Sequence, residues 1–265
     1  MLNKKQTTKI IVAALVAVAV IFCAFSSDVK AQKVRNYRLK VEGSYPHDVN
    51  AYTQGLFFHK GELYETTGQY GQSSVRKVDL ATGRVLNYQP VEKKYFLEGA
   101  CTLGGRLYVL TWMESVCFVY DISTMKKIGE LRNPGEGWGL TTDGKSLIMS
   151  DGSDKIYFRD PLTFMEQRSV SVTLNGKKIN YLNELEYIDG KIWANVYTTD
   201  TILIIDPDSG MVTGVIDCRN LLPYAMRRPN TDVLNGIAFD EKDGSIYLTG
   251  KNWPKLFKIS LIEVK

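Results

Sequence analysis

Short runs of β-forming residues, punctuated by Gly, Asp and Asn, follow one another along this chain, and no long helical periodicity interrupts them. Such a pattern predicts strands joined by turns. The runs are also self-similar. Five segments open on a polar or aromatic residue, at Gln54-Gly55, Glu98-Gly99, Trp138-Gly139, Asn183-Glu184 and Asn235-Gly236, and glycine is second in all but one. Their starts are 44, 40, 45 and 52 residues apart. An aliphatic residue follows nine positions later in the first four units, at Leu63, Leu107, Leu147 and Ile192. In the fifth, Ile246 comes at eleven, after the insertion Glu241-Lys242-Asp243-Gly244. Further on, Asp79, Asp121, Asp160 and Asp206 end a third strand, and Ser260 takes that place in the fifth unit.

A period of about 40–50 residues with four short strands per unit is the pattern of propeller blades. The fifth unit reaches Lys265 after three strands, and the run Tyr37 to Glu42 is available as its fourth. Pairing the two would hide strand edges that invite aggregation. The expected fold is all-β: a five-bladed β-propeller of four-stranded antiparallel blades, the last completed by an N-terminal strand. It forms one domain over residues 32–265.

This geometry points to a site. The first strand of a blade lies innermost, so the repeat-start residues should converge on the central channel. The second strands end at Gly68, Trp112, Gly152, Tyr197 and Lys251, which should border the same mouth. The two columns together place Gln54, Glu98, Trp112, Trp138, Asn183, Tyr197, Asn235 and Lys251 around one opening. Within that set Glu98 is the carboxylate and Lys251 the ammonium, among amides and aromatic rings.

Composition adds the setting. The chain has 265 residues, 44% of them hydrophobic, ample for the core of one large domain. The net charge is +4, but Lys4, Lys5, Lys9 and Lys30 against Asp28 supply three of those charges within residues 1–31. The remainder is close to neutral and shows no basic stripe, so no nucleic-acid partner is expected. Lysines followed by a 16-residue apolar run, Ile10 to Phe25, read as a secretory signal. A full membrane span needs about 20 residues. Val29-Lys30-Ala31 has small residues spaced for cleavage after Ala31, which would leave Gln32 as the new first residue; an uncleaved anchor is the other reading. Either way the body of the protein is expected to be exported, with an anchor as its sole link to a membrane. Cys101, Cys117 and Cys218 are odd in number and are expected as buried free thiols.

At these positions the sequence resembles the plant and bacterial type of glutaminyl cyclase. The resemblance rests on motifs in order: Tyr52-Thr53-Gln54-Gly55-Leu56, Leu63 to Gly68, Phe96-Leu97-Glu98-Gly99 and Leu110-Thr111-Trp112. It continues through Gly137-Trp138-Gly139-Leu140, Asn183-Glu184-Leu185-Glu186, Ala194-Asn195-Val196-Tyr197, Asn235-Gly236-Ile237-Ala238 and Thr249 to Pro254. It implies that N-terminal glutamine of peptides or proteins is cyclised to pyroglutamate with release of ammonia. Glu98 then matches the acid/base and Lys251 its charged partner. Gln54 and Asn183 match the amides that hold substrate, and Phe96, Trp112 and Trp138 the apolar walls. Tyr52 stands where the family usually has Phe, and Tyr197 where it often has Trp; both keep an aromatic face.

The chemistry suits these residue types. The reaction is intramolecular, so folding the glutamine side chain into a near-attack shape removes much of the entropic barrier. A carboxylate at Glu98 is placed to take a proton from the α-ammonium and return one to the departing nitrogen. Lys251 and an amide of Gln54 or Asn183 would stabilise the developing oxyanion. No metal or other cofactor is expected, because the chain has only two histidines, His47 and His59, and a zinc site needs three or four ligands. His47 reads as a loop residue, Trp193 and Trp253 as core, and Asn235, Glu65 and Glu186 as structural. A calcium-dependent hydrolase propeller would need several inward carboxylates, and the inner column offers Glu98. The competing function is a non-catalytic propeller that binds peptides or proteins.

Overall fold

A computed structural model describes residues 33–264. The segment expected as signal or anchor, the cleavage point after Ala31 and Gln32 all lie outside the described residues. Strand β1 (Arg35–Pro46) precedes the first repeat unit, β2 (Thr53–His59), β3 (Glu62–Thr67), β4 (Ser74–Val78) and β5 (Val85–Pro90). The second unit is β6 (Leu97–Leu103), β7 (Arg106–Thr111), β8 (Val116–Asp121) and β9 (Lys126–Arg132). The third is β10 (Leu140–Thr142), β11 (Leu147–Ser150), β12 (Lys155–Arg159) and β13 (Glu166–Ser171), followed by a small hairpin, β14 (Thr173–Leu174) and β15 (Lys177–Lys178). The fourth is β16 (Leu182–Ile188), β17 (Lys191–Val196), β18 (Thr201–Ile205) and β19 (Val212–Asp217). The last is β20 (Leu234–Asp240), β21 (Ser245–Gly250) and β22 (Lys255–Val264).

The first three units are each a four-stranded sheet of consecutive antiparallel strands. The fourth and fifth merge into one sheet of eight, in the order β16-β17-β18-β19-β1-β22-β21-β20. Strand β1 makes that join. It runs antiparallel to β22 from Asn36↔Val264 to Pro46↔Lys255, and its first residues also pair in parallel with β19, Arg35↔Gly214 to Arg38↔Asp217. The N-terminal strand is therefore longer than Tyr37 to Glu42, and β22 runs on through Ser260 because β1 continues to pair with it.

Apolar layers lie between successive sheets. Phe57, Tyr64 and Val75 pack against Leu97, Val109 and Phe118, and Tyr108, Leu110 and Cys117 against Leu140, Leu147 and Met149. The last layer returns from the fifth unit to the first, joining Ala238, Tyr247 and Leu256 to Leu56 and Leu63. The strands that open the units touch in the order β2, β6, β10, β16, β20 and back to β2, which closes a ring. The repeated aspartates have a shared local cause. Asp79, Asp121, Asp160 and Asp206 each accept the backbone N–H of a Thr or Ser three residues on, at 2.8, 2.9, 2.8 and 3.0 Å, fixing the turn after the third strand.

The second position of each repeat start explains how closely the inner strands approach. A Cβ on Gly99 would stand 2.7 Å from Trp138 O, so no larger residue fits there. In the fourth unit Glu184 replaces that glycine, and its carboxylate reaches across the ring. Leu56 N–H donates to Oε1 at 3.3 Å and Ile237 N–H to Oε2 at 2.9 Å. Among the repeat-start residues Glu98 is the carboxylate, as expected, and β16 carries Glu184 and Glu186 beyond that column. Both are buried: Glu184 spends its two oxygens on backbone donors, and Glu186 accepts the Phe239 N–H on Oε1 at 3.0 Å and the Thr141 hydroxyl on Oε2 at 3.2 Å.

Candidate active site

Four of the inner strands carry a bulge where the repeat begins. The pairing slips between Thr53 and Gly55, Leu97 and Ala100, Leu182 and Leu185, and Leu234 and Ile237. A bulge re-aims the side chain it carries, and here it turns Gln54, Glu98, Asn183 and Asn235 off the alternation of their strands. One backbone bond repeats beside them. Gly68, Trp112, Tyr197 and Lys251 donate their N–H groups to Tyr52, Phe96, Tyr181 and Val233, at 2.8, 2.9, 2.8 and 2.9 Å. This bond ties the ends of four of the second strands to the residue two before the repeat start, so both columns reach the same end of the ring.

They enclose a cavity of about 190 Å³ lined by Tyr52, Gln54, Phe96, Glu98, Trp112, Trp138, Asn183, Tyr197 and Lys251. All nine residues singled out for catalysis or substrate binding meet there. Asn235 sits behind them and is fully buried. Its Nδ2 donates to Thr53 O at 2.9 Å and to Gln54 Oε1 at 3.3 Å, in keeping with a structural role. A larger cavity of about 880 Å³ opens at the other end of the inner strands, around the β2–β3 hairpin and Glu186, and contains none of the nine.

The walls are aromatic and interlocked. Phe96 meets Trp112 at 5.6 Å between ring centroids, Tyr52 at 6.2 Å and Tyr70 at 5.4 Å; Trp138 meets Tyr197 edge-on at 5.6 Å. Glycines in the second column make room for these rings. A Cβ on Gly68 would lie 2.6 Å from Phe96 Cζ, and one on Gly152 2.7 Å from Trp138 Cζ2. Trp193 and Trp253 are core, as expected. The three cysteines are buried free thiols, and Cys101 and Cys117 stand on β6 and β8 with β7 between them.

Charge is concentrated in a dry setting. Glu98 and Lys251 are 5% and 3% exposed. Gln54 Nε2 donates to Glu98 Oε1 at 3.0 Å, and Lys251 Nζ lies 4.8 Å from the centroid of Tyr52 and 5.1 Å from that of Tyr197. Burial pushes the Glu98 carboxyl well above the usual carboxylate range, against the pull of Lys251 and with the help of Glu136 and Glu114. Burial likewise lowers Lys251, against the pull of Glu98 and Asp232. Desolvation therefore outweighs the mutual attraction of the pair. Asn183 Oδ1 is buried and meets no hydrogen-bond donor of the protein. Among the described residues, no three His, Cys, Asp or Glu side chains converge as a metal-binding group.

Sequence reasoning missed several residues. Glu136 accepts the indole N–H of both Trp112 and Trp138 on Oε2, each at 2.9 Å. Glu114 accepts the Tyr70 hydroxyl at 2.8 Å. Both glutamates lie in connecting loops, outside the two repeat columns, where register carries no signal. His47 is also more than a loop residue. It follows β1, but its ring is buried between Glu65 Oε1 at 3.0 Å and Trp253 O at 2.7 Å.

A sequence model described as glutamine cyclotransferase matches residues 14–261 of this chain. The chain belongs to the glutamine cyclotransferase family. A glutaminyl-peptide cyclotransferase of Arabidopsis thaliana is 43% identical over 229 residues, covering 84% of this chain and 71% of the plant protein. The crystal structure of Myxococcus xanthus glutaminyl cyclase superposes with a TM-score of 0.82 at 36% identity, covering 88% of this chain and all of that one.

Proposed function

We propose that this protein is a glutaminyl-peptide cyclotransferase in which Glu98 carries the proton and Lys251 balances the charge. The observation that carries the reading is the meeting of a buried carboxylate and a buried ammonium in one small cavity walled by aromatic rings. The substrate is the N-terminal glutamine of a peptide or protein. Its side chain folds back between Phe96, Trp112 and Trp138, bringing the α-nitrogen to the carboxamide carbon. Glu98 takes a proton from the α-ammonium, the freed amine attacks, and the tetrahedral intermediate forms. Glu98 delivers that proton to the side-chain nitrogen, the C–N bond breaks, the surplus proton of the new ring nitrogen passes to the departing ammonia, and pyroglutamyl peptide and ammonium leave.

Its raised proton affinity suits Glu98 to this shuttle. An α-ammonium has an ordinary pKa of about 7.7–8.0, and transfer is most efficient when donor and acceptor are matched. Lys251 is the counter-charge to the oxyanion, and Asn183 supplies an unpaired acceptor, Oδ1, to a substrate N–H. Gln54 has a second duty beyond holding substrate, since its Nε2 orients Glu98 while Asn235 orients Gln54.

The same reading makes the fold a five-bladed propeller over residues 32–265, its fifth blade completed by β1. The inter-sheet layers and the pairing of β1 with β22 support this. Mechanistically it is metal-independent. Residues 1–31, with their lysines and apolar run, are the export segment, so the enzyme works outside the cytoplasm as a cleaved or anchored form. Incubation with a glutamine-initiated peptide, with and without chelator, tests the activity directly: ammonia release unaffected by chelator is expected. Glu98→Gln should abolish turnover and leave the thermal transition in place. A fully active Glu98→Gln enzyme would remove Glu98 from the chemistry.

A further inference from the structure

The two tryptophan walls of the cavity come from different repeat units. Trp112 follows β7, and Trp138 precedes β10 in the next unit. Each ring packs on a different aromatic partner, Trp112 on Phe96 and Trp138 on Tyr197. A single atom joins them. Glu136 Oε2 accepts both indole N–H groups at 2.9 Å. The Gly137 N–H also donates to Trp112 O at 3.0 Å, so the backbone beside Glu136 is held to the same wall. An indole has one donor and no acceptor, so each N–H has a single bond to give, and both are given to one oxygen.

We infer that Glu136 is a positioning residue for the cyclisation, a clamp that sets the opening between the Trp112 and Trp138 rings and so the shape into which glutamine must fold. The inference rests on the cyclotransferase reading of the site. Among the described residues Glu136 makes no ion pair with a basic side chain, and the residue is exposed, so its fixed bonds are those to the indoles. Two rings held at one distance exclude extended side-chain conformers that do not lead to attack, which is where an intramolecular reaction gains its rate. Its charge has a second effect. Glu136 is among the groups that raise the Glu98 carboxyl.

Three variants separate clamp from charge. Glu136→Ala removes the acceptor, and its KM for a glutamine-initiated peptide is expected to rise roughly tenfold, the loss of about 1.4 kcal/mol of binding. Glu136→Gln keeps a carbonyl oxygen with two lone pairs, so its KM should stay within about twofold of wild type. The Glu98-dependent limb of its pH profile should move to lower pH. In ¹H–¹⁵N spectra, with Trp112→Phe used for assignment, the indole resonances of Trp112 and Trp138 should both move in Glu136→Ala. Those of the buried Trp193 and Trp253 should stay. Unmoved indole resonances in Glu136→Ala, or a KM in Glu136→Gln as poor as in Glu136→Ala, overturns the clamp. Moved resonances in a protein that releases no ammonia from any glutamine peptide uphold the clamp and sink the cyclotransferase reading instead.

Discussion

Gln54 Nε2 donates to Glu98 Oε1 at 3.0 Å, a bond between the opening residues of two successive repeat units. Asn235, which opens the fifth unit, holds the other end of the same amide at 3.3 Å. The carboxylate assigned to proton transfer is thus oriented by a relay from the first and fifth units, and the amide cannot rotate without losing both partners.

Removing that amide should therefore damage turnover more than stability. A hydrogen bond to a charged group is worth about 1.5–3 kcal/mol. Gln54→Ala is expected to lower kcat by roughly 10–100-fold. Steady-state kinetics beside a thermal melt check this; a collapsed melting temperature would mean that Gln54 serves the fold instead.

Lys251 lowers the proton affinity that burial raises at Glu98. Lys251→Met deletes the counter-charge and keeps the bulk. The Glu98 limb of the kcat/KM profile should then move to higher pH, the opposite direction to Glu136→Gln. Activity below that limb falls, because Glu98 is protonated over a wider range. An unmoved limb would remove Lys251 from the electrostatics of the site.

Gly68 is the floor on which Phe96 lies. The Cβ of Gly68→Ala would meet the Phe96 ring at Cε1 and at Cζ, and the ring must shift into the cavity. Overpacking of this kind costs about 1–3 kcal/mol. A substantial rise in KM with a small loss of melting temperature is expected. Unchanged KM would show that the ring has another way to move.

The buried pair His47–Glu65 predicts a pH-dependent stability. Burial opposes the His47 imidazolium, but the Glu65 carboxylate and the Trp253 carbonyl outweigh it, so His47 is raised above its ordinary value. Glu65 is lowered, with His47, Arg76 and Thr53 outweighing its burial. Asp48, which pairs with Arg76 at 2.8 Å, and Thr249 Oγ1 at 3.5 Å complete the surroundings. The His47 contribution is present in full below pH 6.5 and fades as pH rises through its raised value; the Glu65 contribution fades as pH falls through its lowered one. Breaking a buried pair costs about 3–5 kcal/mol. His47→Gln should be most destabilised relative to wild type near pH 5–6, and the gap should narrow towards pH 9. Thermal melts across that range decide it, and a gap independent of pH would mean that His47 is neutral in the fold.

Particular residues show why some of this was legible before any coordinates. Glu98 and Lys251 stand at fixed positions in a repeat, and a repeat of strands imposes its register on every unit. Two columns at known offsets must then arrive at the same end of the inner strands, as the bond from four second-strand ends to the residue two before the repeat start demonstrates. Glu136 and Glu114 lie in loops that the period does not govern. Glu184 occupies a repeat position, but its significance depends on a side chain spanning the ring to Leu56 and Ile237, far away in sequence.

Order along the chain, then, settled the strand units and the membership of the cavity, because those follow from periodicity and local turn chemistry, while the family was carried by the resemblance of its motifs. Three-dimensional packing alone decided the rest: which carboxylates are spent on fixed donors, that β1 fuses two sheets, that one oxygen serves two indoles, and that burial raises the proton affinity of Glu98. Each of these turns on distance between remote segments or on the exclusion of water, and neither quantity is written in neighbouring residues.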